Sequence, residues 1–180
     1  MNFPNSVTIF RIILVPILVT VLLMEFEGKE FTAFAIFMLA AVTDMIDGVW
    51  ARKRNQVTTL GTLLDPLADK LLITSVFICL LDLRIVPAWM VIVIIAREFI
   101  VTGFRVIASS KRINISSSNL GKIKMHFEIY AIGLLILGEK ILGQFYVVAW
   151  IFLWAAILVA IVSAGEYYLK YWRAVFLNQN

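Results

Sequence analysis

Apolar residues fall into six long runs, at about 6-25, 31-52, 63-83, 85-108, 124-142 and 145-170, parted by short polar segments. Each run is long enough to carry a helix across a bilayer, for which about 20 apolar residues suffice. In lipid only helices and closed barrels satisfy their backbone, and these runs lack the alternation of barrel strands. The pattern predicts an all-α polytopic membrane protein with six transmembrane helices, forming a single membrane domain over residues 1-180. Pro16 lies inside the first run and predicts a kink there. That run carries Arg11 and is followed by no small-residue cleavage site, so it reads as a retained helix.

Composition agrees with the pattern. At 62% hydrophobic and 16% charged residues, with a mean hydropathy of +0.94, the chain lies outside the range of soluble domains. The net charge of +4 does not point to nucleic acid, because the basic residues flank the apolar runs, where they set topology and meet anionic lipid. The lone Cys79 excludes a disulfide framework and a thiolate metal site.

Charge also orients the chain. The connectors at 25-30, 82-87 and 138-144 carry one basic residue each, Lys29, Arg84 and Lys140. The opposite side receives Arg52, Lys53, Arg54, Lys111, Arg112, Lys122, Lys124, Lys170 and Arg173. Both termini, and the connections between helices 2 and 3 and between 4 and 5, are therefore expected on the cytoplasmic side of the cell membrane. Tyr167, Tyr168, Tyr171 and Trp172 read as an interfacial aromatic anchor.

Four of the five aspartates, Asp44, Asp47, Asp65 and Asp69, lie in or at the edge of the second and third runs. An ionised carboxylate in a helix bundle costs several kcal/mol by most reckonings, so such groups pair with cations or line an aqueous site. Arg52, Lys53 and Lys70 are candidate ion-pair partners, but they do not readily absorb all four acids. Spacings of three and four residues place each pair on one helix face. A short connection makes the two helices antiparallel neighbours, so the pairs can face each other. Gly48, Ala51 and Gly61 lie beside them and serve either close helix packing or a ligand slot. An all-oxygen cluster suits hard ions, Mg2+ or Mn2+, and two such ions balance four carboxylates. Paired divalent ions suit phosphoryl chemistry, because they neutralise a diphosphate. His126 reads as a polar packing residue.

Written out, the segment is Asp44-x2-Asp47-Gly48-x2-Ala51-Arg52-x8-Gly61-x3-Asp65-x3-Asp69. It resembles the full signature of the CDP-alcohol phosphatidyltransferase family, whose six-helix architecture is similar to the topology reached from the hydrophobic pattern. The resemblance implies that the aspartates bind two metal ions and that Asp69 is the general base. It further implies that Gly48, Ala51, Arg52 and Gly61 belong to the site for CDP-diacylglycerol, with membrane lipid around it, and that the protein is a homodimer. Asn5-x2-Thr8-x2-Arg11 resembles the family's entry into helix 1, where Asn5 and Thr8 approach the nucleotide; Asn5 or Ser6 is alternatively a helix cap.

The stretch Ala96-Arg97-Glu98-Phe99 with Arg105, followed by Gly121-Lys122-Ile123-Lys124, resembles the subgroup of this family whose acceptor is sn-glycerol 3-phosphate. Met125 departs from that subgroup, which often has threonine there. Arg97 in an apolar helix needs a partner: Glu98 is one, although adjacent helical residues point apart, and a phosphate is another. Arg97, Arg105, Lys122 and Lys124 are accordingly the candidate acceptor-phosphate residues. Two rivals stand beside this reading: another phosphorylated acceptor, such as inositol phosphate, and a divalent-cation transporter, since intramembrane carboxylates also mark ion paths.

Overall fold

The computed structural model describes residues 3–53, 59–111 and 119–172, with the side chains of 3–5, 44–53, 59–63, 119, 122 and 170–172 outside that description. Within it the chain is all-helical. The elements are α1 (Phe3–Leu23), α2 (Lys29–Lys53), α3 (Thr59–Asp82), α4 (Ala88–Ser110), α5 (Asn119–Leu142) and α6 (Tyr146–Trp172), with a single 3-10 turn, Gly143–Phe145, before α6.

Helix ends follow local chemistry. α4 starts at Ala88, three residues later than the hydrophobic run, because Pro87 holds an extended backbone (φ −67°, ψ 145°). α3 is closed by a left-handed residue, Arg84 at φ 57°. Around it the Arg84 amide donates to the Leu81 carbonyl and the Ile85 amide to the Leu80 carbonyl, each at 2.9 Å, a paired bonding that caps the last carbonyls. α5 breaks at Gly138 (φ 70°, ψ 172°), which is where the sequence places the start of the connector. α3 and α5 begin four and five residues before their apolar runs, at Thr59 and Asn119, because polar residues extend each helix beyond its apolar stretch.

α1 packs on α2 and α3, α5 packs on α6 and α2, and α4 packs on α6 and α3. The core between them contains Leu18, Phe37, Val76, Leu80, Ile132 and Leu153, each fully buried. Gly133 of α5 meets Phe34 of α2 so closely that a Cβ at 133 would lie 3.1 Å from the ring. Here a small residue sets the approach of two helices.

The outer surface is apolar as well. Phe99, Ile100, Val106, Val147, Ile151 and Leu158 all project outward, an arrangement that suits lipid and not water. Among the described residues, Ser6–Leu23 and Ile123–Leu169 are long and apolar enough to cross a membrane by length and composition, the second containing most of α5 and α6. α2, α3 and α4 interrupt their apolar runs with charged side chains. The described charges of α3 and α4 build the candidate site.

Candidate active site

The site is assembled from helix faces. On α1, Thr8 and Arg11 are three residues apart and share a face; both side chains are buried at 1% exposure. Since α1 packs on α2 and α3, this face meets the helices that carry the aspartates. The contact is direct at one point: Thr8 Oγ1 donates to Asp65 Oδ1 at 2.5 Å, a charge-assisted bond joining residues 57 apart in sequence. The structure thus brings together the N-terminal motif and the aspartate motif, which the sequence presents as separate features.

On α3, Asp65 is exposed and Asp69, one turn on, is partly buried. Pro66 stands between them. Lacking an N–H, it leaves out one backbone hydrogen bond a turn before Asp69. Asp69 lies near enough to Glu128 of α5 for their charges to interact. Lys70, one of the cations that the sequence offers as partners for the aspartates, donates at 2.5 Å to Thr102 on α4, whose hydroxyl in turn donates to the Glu98 carbonyl at 2.6 Å. α3 and α4 are thereby tied beside the acids.

Behind this face runs a chain of charges, with Arg97, Lys124 and Glu128 buried and Glu98 partly exposed. Glu98 Oε1 accepts from Arg97 Nη1 at 2.7 Å and also from Lys124 Nζ of α5. Lys124 pairs in addition with Glu128 Oε1 at 2.6 Å, and Arg97 Nη2 donates to Ser163 of α6 at 2.7 Å. Two cations and two carboxylates thus balance within the protein, as buried charges require. Adjacent helical residues do point apart, yet the long side chains of Arg97 and Glu98 bend back and meet. Both partners offered by the sequence for Arg97 therefore stay relevant: Glu98 holds one nitrogen of the guanidinium, and a ligand phosphate would compete for it.

Arg105 projects further along α4 and is exposed. Its Nη2 donates to the Tyr167 hydroxyl at 2.6 Å, and its Cζ lies 5.3 Å from the centre of the same ring. Tyr167 itself is buried at 3% exposure, whereas Tyr168 is half exposed. The aromatic cluster read as an interfacial anchor is thus divided, with Tyr167 facing inward to hold an arginine. Glu128 and Ser163 are the polar residues of this cluster to which the sequence assigned no role. A signal for Glu128 was present in the spacing of Lys124 and Glu128, four residues apart on one helix face.

The side chains of Asn5, Asp44, Asp47, Gly48, Ala51, Arg52, Gly61 and Lys122 lie outside the described residues, although the backbones of these residues run within α1, α2, α3 and α5. Among the described residues no three acidic, histidine or cysteine side chains converge as a metal site. The donor chemistry that is described suits a hard divalent ion: Asp65 and Asp69 present carboxylates at neighbouring turns, and the Thr8 bond occupies one Asp65 oxygen.

Comparison with known proteins adds the family. A model of the CDP-alcohol phosphatidyltransferase family matches residues 1–162. The chain is 40% identical to a CDP-diacylglycerol--glycerol-3-phosphate 3-phosphatidyltransferase of Bacillus subtilis, over 97% of each chain. It is 37% identical to the protein of the same description in Rickettsia felis, over 93% of each chain. It is 34% identical to a probable phosphatidylglycerophosphate synthase of Mycobacterium tuberculosis, over 97% of this chain and 83% of that one.

Proposed function

The chain belongs to the CDP-alcohol phosphatidyltransferase family, a membrane-protein family of transferases, and from that premise we propose that it transfers the phosphatidyl group of CDP-diacylglycerol to sn-glycerol 3-phosphate. The products are phosphatidylglycerophosphate and CMP. The observation that carries this reading is the near-full-length similarity to relatives named for that acceptor, and the cations set behind the Asp69 face support it.

Asp69 takes the proton of the acceptor hydroxyl. The freed oxygen attacks the phosphorus that bears diacylglycerol, the bond from that phosphorus to the CMP oxygen breaks, and CMP departs with the electron pair. Asp44, Asp47, Asp65 and Asp69 would hold two Mg2+ or Mn2+ ions, which when bound neutralise the diphosphate. Thr8 fixes the orientation of the Asp65 carboxylate, leaving its second oxygen for a ligand. Asn5, Arg52, Gly48, Ala51 and Gly61 border the nucleotide, the small residues making room for it. Arg97, Arg105, Lys122 and Lys124 serve the acceptor phosphate, with Arg97 and Lys124 also paired to Glu98.

All six helices span the cell membrane as one domain, with both termini and the site on the cytoplasmic side, and the protein works as a homodimer in lipid. The excess of basic residues on one set of connectors supports this orientation. The test is to supply purified protein with CDP-diacylglycerol, Mg2+ and a panel of alcohols, and to identify the lipid formed as CMP is released. Glycerol 3-phosphate is expected to be the preferred acceptor. Preference for another alcohol would overturn the assignment of the acceptor, and absence of CMP release with every alcohol would overturn the reaction.

A further inference from the structure

Glu98 places a single carboxylate oxygen between two cations. Its Oε1 accepts from Arg97 Nη1 at 2.7 Å and from Lys124 Nζ, an arrangement that a phosphate oxygen between an arginine and a lysine would share. We infer that Glu98 is a specificity-determining residue: its carboxylate holds the anion position between Arg97 and Lys124 and yields it only to a phosphate-bearing acceptor. The inference rests on the reading of the acceptor as a phosphorylated alcohol.

Burial says which member of the cluster moves. The side chain of Glu98 is 20% exposed, against 10% for Arg97 and 3% for Lys124, so the carboxylate covers two cations that are more buried than itself. Both cations keep another anchor when it leaves. Arg97 remains bonded through Nη2 to Ser163, whose hydroxyl donates to the Ala160 carbonyl, and Lys124 remains paired with Glu128. Rotation of Glu98 would therefore open a preorganised pair of donors without dismantling their support. Arg97 Nε, buried and without a hydrogen-bond acceptor among the described residues, adds a third donor on the same group.

Charge decides who displaces whom. A phosphate monoester carries between one and two negative charges near neutral pH and offers three acceptor oxygens, whereas the carboxylate offers one charge and two oxygens. A neutral alcohol offers no anion, and it leaves Glu98 in place. The internal carboxylate thus lowers the apparent affinity for every acceptor that needs the position, and only one with a strong anion overcomes that competition.

The test uses the full-length enzyme in detergent, with inorganic phosphate as the probe, and compares the parent with Glu98→Gln and Glu98→Asp. In the parent, phosphate is expected to inhibit weakly and in competition with glycerol 3-phosphate, not with CDP-diacylglycerol. Removing the rival charge in Glu98→Gln should lower both the inhibition constant of phosphate and the KM for glycerol 3-phosphate by roughly tenfold, with the KM for CDP-diacylglycerol unchanged. Glu98→Asp keeps the charge on an arm too short to bridge both cations, and its values should fall between the other two. It also serves alone if the glutamine variant does not fold. A KM for glycerol 3-phosphate that is unchanged or raised in the variant that folds would make Glu98 a scaffold and overturn the proposal. Competition of phosphate with CDP-diacylglycerol would overturn it too, by placing the anion at the diphosphate. If instead the parent turned over free glycerol as well as glycerol 3-phosphate and ignored phosphate, the reading of the acceptor would itself have failed.

Discussion

The hydroxyl of Thr8 donates to Oδ1 of Asp65 at 2.5 Å, pinning a carboxylate of α3 to the buried face of α1. The bond uses one oxygen of Asp65 and fixes the direction of the other. Replacing Thr8 with Val keeps the shape and removes the donor, and loss of a hydrogen bond to a charged group costs about 1.5 to 3 kcal/mol. Thr8→Val should therefore lower kcat/KM for CDP-diacylglycerol by roughly ten- to hundredfold, with a higher Mg2+ concentration for half-activation. Thr8→Ser, which keeps the hydroxyl, should stay within a few-fold of the parent. Equal kinetics for Thr8→Val and the parent would show that Asp65 is oriented without this bond.

The aspartates make a second prediction. Each Asp→Asn change at Asp44, Asp47 or Asp65 removes one negative charge from the proposed pair of divalent ions, and should raise the metal concentration needed for turnover. Asp69→Asn should be at least as damaging, because it also removes the proposed proton acceptor. Metal titration of CMP release separates these effects. Full turnover in excess EDTA would sink the two-metal proposal. Near-normal turnover of Asp69→Asn with metal bound would remove only its role as base.

Topology gives a third. The excess of basic residues on one set of connectors predicts the 25-30 connector outside and the 112-118 segment inside. Gly28 is a poor site for a reporter cysteine, because its φ of 80° strains any side chain. Glu27, its exposed neighbour, avoids that strain. In a Cys79→Ala background, an impermeant thiol reagent applied to intact cells should label Glu27→Cys and spare Ser117→Cys. The reverse pattern would invert the chain.

How far these features were legible in the sequence follows from the range of the forces involved. Helices were readable because hydrophobic runs and prolines act locally, and Pro87 shows a boundary shifted by one residue's backbone restriction. The acidic face of α3, with Asp65 and Asp69, was readable for a similar reason, since i+4 spacing fixes a shared face on any helix. The pairing of Thr8 with Asp65 was not, because it depends on how α1 rotates against α3, and nothing local sets that angle. Lys124 posed the same difficulty. Its nearness to Arg97 through Glu98 arises from the packing of three helices, so a residue that reads as a free cation proves to be held by two carboxylates. The inward turn of Tyr167 was not legible beside Tyr168, because aromatic residues near a helix end share one composition signal, whichever way each ring points.

The fourth prediction tests the acceptor through Arg105 and the tyrosine that holds it. Arg105 is exposed and free to meet a ligand on its outer side, while its Nη2 donates to the buried Tyr167 hydroxyl at 2.6 Å. If the guanidinium contacts the phosphate of glycerol 3-phosphate, Arg105→Ala loses a charge-assisted bond of about 1.5 to 3 kcal/mol and should raise the acceptor KM roughly ten- to hundredfold. Tyr167→Phe keeps the ring beneath the arginine and loses only the hydroxyl, so its effect should run in the same direction and be smaller. Neither change should move the KM for CDP-diacylglycerol by a comparable factor. Free glycerol supplies the control, because it offers no phosphate for Arg105 to lose. Its slow turnover should therefore be the same in the parent and in both variants. Equal loss of glycerol and glycerol 3-phosphate turnover in Arg105→Ala would instead make Arg105 a structural or nucleotide-side residue. The phosphorylated acceptor would then lose the exposed arginine that supports it.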